Sequence, residues 1–129
     1  MTDTDHHSSG RSWSSDETRQ LRRAAEHLAA RTGAEAVVLF GSRARGDNAQ
    51  DSDWDLCVIL PDDVEPGRYN AVNLWLEASN FGLPIQVFPI RRSAFIERSS
   101  DINSLSHDVL RDGLPIVGRL EGAYRIEAA

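Results

Sequence analysis

A chain of 129 residues, 40% apolar and 26% charged, can bury about two-thirds of its unfolded surface in one core and is too short for two. Its single cysteine, Cys57, excludes an internal disulfide framework and a CxxC zinc site and suits a reducing compartment. The net charge of −6 disfavours general binding to nucleic-acid backbone, and all fourteen basic residues are arginine, which removes phosphate-loop, Schiff-base and nucleophilic lysines. The first residues combine neither a basic start nor an apolar stretch, and no run nears the roughly 18 apolar residues of a membrane span. A cytoplasmic protein without a membrane partner is expected.

Residues 1–13, rich in Ser and Asp and including the His6-His7 pair, are expected to form a disordered tail. Ser14-x-x-Glu17 is a capping box ahead of Leu21, Ala24, Ala25, Leu28 and Ala29, which mark an amphipathic helix that stops at Gly33. Residues 36–40 form a short continuous apolar run, the pattern of a strand covered on both faces, and end at Gly41-Ser42. After a polar stretch, a second apolar run (residues 56–60) follows Asp53-Trp54-Asp55 directly and is closed by Pro61 and a turn through Gly67. Residues 68–79 carry two apolar stripes at helical spacing, one with Val72, Trp75 and Leu76 and one with Ala71, Leu74 and Ala78, of which the latter is expected to pack in the core. A third strand (83–88), a helical turn (93–97), a last helix (102–111) ended by Gly113 and a fourth strand (114–117) complete a domain spanning residues 14–119. Residues 120–129 read as a frayed tail. This order implies an α+β fold, a small mixed β-sheet with helices packed on one side.

The chemistry-bearing segment is Gly41-Ser42-Arg43-Ala44-Arg45-Gly46 through Asp53-Trp54-Asp55. Because strand side chains alternate, Asp53 and Asp55 share a face, with Cα atoms roughly 6.5 to 7 Å apart, and can reach one hard cation. Mg²⁺ takes one or two carboxylates and completes its shell with water and substrate phosphates. Gly41 allows close backbone approach, Ser42 can open a helix whose leading N–H groups face a phosphate, and Arg43 and Arg45 would add charge-assisted donors. An EF-hand is excluded, since Leu56 and Asp62 stand where its Gly and Glu are required. Cys57, inside an apolar run, needs no role beyond packing.

Gly41-Ser42, ten intervening residues and Asp53-x-Asp55 together match a GS-x10-DxD signature. The chain resembles the minimal nucleotidyltransferases of the DNA polymerase beta superfamily, and the likeness extends over residues 14–117. The resemblance implies a polymerase-beta-like nucleotidyltransferase fold and transfer of a nucleoside monophosphate from an NTP, ATP foremost, with Mg²⁺ or Mn²⁺. It makes Asp53 and Asp55 the catalytic metal ligands and Gly41, Ser42, Arg43 and Arg45 the nucleotide-binding residues. It also implies a separate helical protein partner, in some cases a HEPN-type toxin that the short protein modifies as its antitoxin.

One position departs from the pattern. The family places a third carboxylate on the next central strand, and here that strand carries Gln86. A glutamine carbonyl can ligate weakly, but it is neutral and cannot serve as a base. The alternative expectation is therefore a catalytically weak NTP-site module that acts by binding its partner.

Overall fold

The computed structural model describes residues 13–120 and Tyr124. Most of the expected N-terminal tail, including His6 and His7, lies outside the described residues, as do residues 121–123 and 125–129.

The capping box at Ser14 starts α1 (Ser15–Thr32): the Ser14 hydroxyl accepts from the Glu17 N–H and the Glu17 carboxylate accepts from the Ser14 N–H, both at 3.0 Å. The helix ends on Gly33 in the left-handed region at φ 72°, a conformation that glycine adopts without steric cost. Next come β1 (Ala36–Phe40), the single turn α2 (Ser42–Arg45), β2 (Trp54–Leu60) and α3 (Ala71–Ala78). The chain closes with β3 (Ile85–Arg91), α4 (Arg92–Glu97), α5 (Leu105–Asp112) and β4 (Leu114–Val117). Two helices start later than the periodicity suggests because a polar side chain caps each one. Asn70 Oδ1 accepts from the Asn73 N–H at 2.8 Å and fixes the start of α3, and Ser104 Oγ accepts from the His107 N–H at 3.0 Å and fixes that of α5.

The sheet order is β3-β2-β1-β4, with β1 antiparallel to both of its neighbours and β2 parallel to β3. Parallel neighbours need a crossover, and α3 lies in it. Alternation sends Val37, Leu39, Leu56 and Val58 to one face, where Leu21 and Leu28 of α1 and Leu74 of α3 cover them. The expected one-sided packing describes this layer. The opposite face is not bare: Ala36, Val38, Cys57 and Ile59 form a smaller cluster with Phe95 of α4, Val109 of α5, Leu120 and Tyr124. On α3, Leu74 and Ala78 are buried as expected, but Ala71, at the exposed first position of the helix, is not, and Val72, Trp75 and Leu76 face outward.

Both expected tails hold structural residues. Trp13 sets its ring edge-on to the buried Trp54 with centroids 5.4 Å apart. At the other end Leu120 and Tyr124 are buried, and the Tyr124 hydroxyl donates to Glu35 Oε1 at 2.9 Å. Arg92 reaches the same carboxylate oxygen at 2.9 Å, and burial is the main cause that pushes the Tyr124 phenol up to about 12. His27 sits on the surface of α1 and pairs with Glu77 of α3 at 2.9 Å. Among the described residues no helix is long and apolar enough to cross a membrane.

Candidate active site

The carboxyl end of β1, the start of β2 and the start of β3 meet on the less covered face of the sheet. Register places Phe40 of β1, Asp55 of β2 and Gln86 of β3 in one row across three strands. Strand alternation then turns all three toward that face, and Asp53, one residue before β2, lies near enough for its charge to act on Asp55. The sequence expectation that Gln86 stands beside the Asp53-Asp55 pair is thereby located in the sheet.

Gly41 lets the chain leave β1 sharply. Its φ is 79° and ψ −160°, and a Cβ on this residue would lie 2.5 Å from Asp55 Oδ2. The backbone thus passes directly against the carboxylate, which no other residue type permits here. α2 begins immediately, with the Ala44 and Arg45 N–H groups bonded back to the Gly41 carbonyl at 3.1 Å each. The first N–H groups of a helix have no intrahelical acceptor; here they belong to Ser42 and Arg43, which follow Gly41 directly.

The two loop arginines occupy different environments. Arg43 is 5% exposed, and its guanidinium donates to the Gln50 carbonyl at 3.0 Å and to the Ser52 carbonyl at 2.9 and 3.2 Å. It also lies 4.4 Å from the centroid of the Trp54 ring. The Arg43 side chain, expected to bind phosphate, has its guanidinium donors engaged by the carbonyls of Gln50 and Ser52 in this structure. Arg45 is on the surface, with Nε donating to Asp47 at 3.0 Å and a terminal nitrogen 3.7 Å from Asp112. Its charge is felt at Asp55.

Burial pushes the Asp55 carboxyl above the ordinary carboxylate range, and the neighbouring charge of Asp53 adds to the rise, while Arg45 opposes it. Part of the apolar surround comes from Phe40 and Phe88, whose rings meet edge-on with centroids 5.3 Å apart. A half-buried Asp55 carboxylate whose proton affinity is raised, with the exposed Asp53 carboxylate near it, is a donor set that a divalent cation would relieve, so Asp53 and Asp55 fit a hard metal. Among the described residues no group of three His, Cys, Asp or Glu side chains could hold a metal ion, and the side chain paired with Asp55 on β3 is the neutral amide of Gln86. Cys57 takes no part: burial lifts its thiol to about 12.

Asp112 is a site neighbour that sequence reasoning missed. It lies at the end of α5, binds Arg111 at 2.8 Å and approaches Arg45. No local motif marks it, because only the pairing of β4 with β1 brings the end of α5 to α2.

Comparison with known proteins gives the class. The sequence profile described as "Nucleotidyltransferase domain" matches residues 19–110. The chain belongs to that family, and its class of enzyme is that of the nucleotidyltransferases. Among solved structures, it is similar to a candidate nucleotidyltransferase from Sulfolobus solfataricus, with 19% identity over 79% of this chain and 80% of that one and a TM-score of 0.51. It is also similar to a toxin-antitoxin structure with AMP-PNP, with 16% identity over 76% and 73% of the two chains and a TM-score of 0.51. A third likeness is to a mutant of the toxin-antitoxin MntA-HpeT, with 14% identity, the same coverages and a TM-score of 0.50. These likenesses concern the fold. A comparison with curated proteins found no match.

Proposed function

We propose that this protein transfers AMP from ATP, in the presence of Mg²⁺ or Mn²⁺, to an acceptor on a helical partner protein in the cytoplasm, as the antitoxin of a toxin-antitoxin pair with a HEPN-type toxin. The observation that carries the reading is the fit of Gly41 against Asp55, because it sets a sharp glycine turn beside one of the two carboxylates. The Ser42 and Arg43 N–H groups hold the β- and γ-phosphates, and Arg45 leaves Asp47 to add a charge-assisted donor. Asp53 and Asp55 would hold the cation, which when bound neutralises charge on the triphosphate and on the leaving pyrophosphate. Gln86 orients through its amide and takes no proton. The toxin-antitoxin structures among the relatives, one with AMP-PNP, support the choice of partner and nucleotide.

The position of Gln86 beside Asp55 favours a second reading, a nucleotide-site module that neutralises its partner by contact. Incubation of the protein, Mg²⁺, ATP labelled on its α-phosphate and the co-expressed helical partner separates the two. Covalent label on the partner supports transfer; a stable complex without label supports the binding module.

A further inference from the structure

Arg45, the last residue of α2, stands between two carboxylates of unequal freedom. Its Nε donates to Asp47, and a terminal nitrogen forms the longer ion pair with Asp112 at 3.7 Å. The Asp47 side chain is 61% exposed and belongs to the same loop as Arg45. Asp112 is only 16% exposed and is fixed from another element: Arg111 donates to its Oδ2 from Nε at 3.0 Å and from a terminal nitrogen at 2.8 Å, and that nitrogen is itself 3.3 Å from Asp108. Asp112 closes α5, where the helix dipole disfavours a negative charge. A carboxylate at that position is opposed by its own helix, and what it gains is the pairing with Arg111 and Arg45. The Arg111 hydrogen bond holds the Asp112 carboxyl below the ordinary carboxylate range, with the charge of Arg45 adding to the effect, so the group is ionised at neutral pH.

We propose that Asp112 is a positioning residue for nucleotide binding: it tethers Arg45 near Asp55 when an incoming triphosphate draws that guanidinium away from Asp47. The inference rests on the reading of Arg45 as a phosphate donor given above. The two carboxylates then play opposite parts. Asp47, exposed and close in sequence, competes with the phosphates for Arg45. Asp112, braced by Arg111, keeps the freed side chain from turning into solvent. A guanidinium carries five N–H donors in a planar fork, so one edge can stay on a carboxylate while another meets a phosphate. Simple charge counting predicts the contrary for Asp112, because removing a negative charge from beside an anion site should tighten anion binding.

The test titrates the full chain calorimetrically with two probes, Mg²⁺-ATP and inorganic tripolyphosphate. Asp47→Asn should tighten the binding of both and Asp112→Asn should weaken it, each by roughly two- to fivefold, the reach of a partly exposed ion pair. Asp112→Glu keeps the charge and should restore most of the affinity, which a role confined to folding would not require. In an Arg45→Ala background, Asp112→Asn should no longer weaken binding. The tether is overturned if Asp112→Asn binds the probes as tightly as wild type or more tightly, if its loss persists undiminished without Arg45, or if Asp47→Asn binds no more tightly than wild type. Should Arg45→Ala weaken binding while Asp112→Asn does not, only the tether falls; if Arg45→Ala itself binds both probes as wild type does, the phosphate role of Arg45 falls and takes the tether with it.

Discussion

Gly41 and Asp55 fit one another so closely that a Cβ at position 41 would lie 2.5 Å from Asp55 Oδ2, at a backbone φ of 79°. The residue that opens the turn after β1 and the half-buried carboxylate are therefore one device, built across β1 and β2. Gly41→Ala would both strain the backbone, by about 1–3 kcal/mol for a non-glycine residue at positive φ with extended ψ, and displace the Asp55 carboxylate. The expected outcome is a melting temperature lower by several degrees and loss of the further rise given by Mg²⁺-ATP. A variant that melts lower yet keeps the full nucleotide-dependent rise would separate the two residues.

Asp55 should act against stability when nothing is bound. Its folded pKa is raised, chiefly by burial and then by Asp53, so the folded state holds a proton that the unfolded state has released. In the window from the ordinary Asp value up to the raised one, stability falls as pH rises, and above the window the full penalty remains. Asp55→Asn should consequently melt at or above the wild-type temperature at pH 7 without ligand, with the difference shrinking as the pH is lowered through the window. The same variant should lose the Mg²⁺-ATP-dependent rise. Thermal melts at neutral and acid pH, with and without Mg²⁺-ATP, check both halves; a neutral-pH loss of stability would contradict the assigned cause of the shift.

Arg43 and Arg45, two residues apart in one turn, should respond oppositely. Arg43→Ala removes a buried guanidinium from the Gln50 and Ser52 carbonyls and from the Trp54 ring, and should cost about 2–3 kcal/mol, in the range for charged hydrogen bonds left unmade. Arg45→Ala, on an exposed side chain, should change stability by less than about 0.5 kcal/mol and weaken ATP binding. Urea denaturation and nucleotide titration on both variants give the comparison. Equal ATP affinity in wild type and Arg45→Ala would remove Arg45 from the phosphate site.

The contrast between these arginines shows where the sequence stops being legible. Periodicity and capping chemistry were readable because they are local: the Ser14/Glu17 box, the end of α1 at Gly33, the wholly buried β1 and the bounds of β4 all follow from neighbours within a few residues. The glycine-serine turn and the aspartate pair were readable because their spacing encodes two strand ends and the loop between them. Arg43 and Arg45 look alike in that loop, and only the depth of Trp54 beneath one of them distinguishes brace from donor. Trp13 and Tyr124 were assigned to tails since their contacts, Trp54 and Glu35, lie 41 and 89 positions away. Asp112 has no sequence signal at all; its position depends on how α5 returns beside β1.

Gln86 offers the sharpest test of turnover. It pairs in register with Asp55 and faces the same side of the sheet, so a carboxylate placed there would complete a group of three with Asp53 and Asp55. Gln86→Asp adds a third negative charge close to a carboxylate whose pKa is already raised by burial and then by Asp53. Without a cation the variant should therefore be less stable than wild type at pH 7, and the deficit should shrink on acidification as the cluster protonates. Divalent cation should reverse the order: three carboxylates bind Mg²⁺ or Mn²⁺ more tightly than two, so the metal-dependent rise in melting temperature should be larger in the variant. A general base at this position typically contributes on the order of 10²-fold or more to such a reaction, and the rate of AMP transfer from α-labelled ATP should increase by about that factor. Gln86→Glu, one methylene longer, serves as the geometric control and should gain less. A variant whose metal response matches wild type would show that position 86 does not reach the cation, and the weak-module reading would then have to rest on something other than this residue.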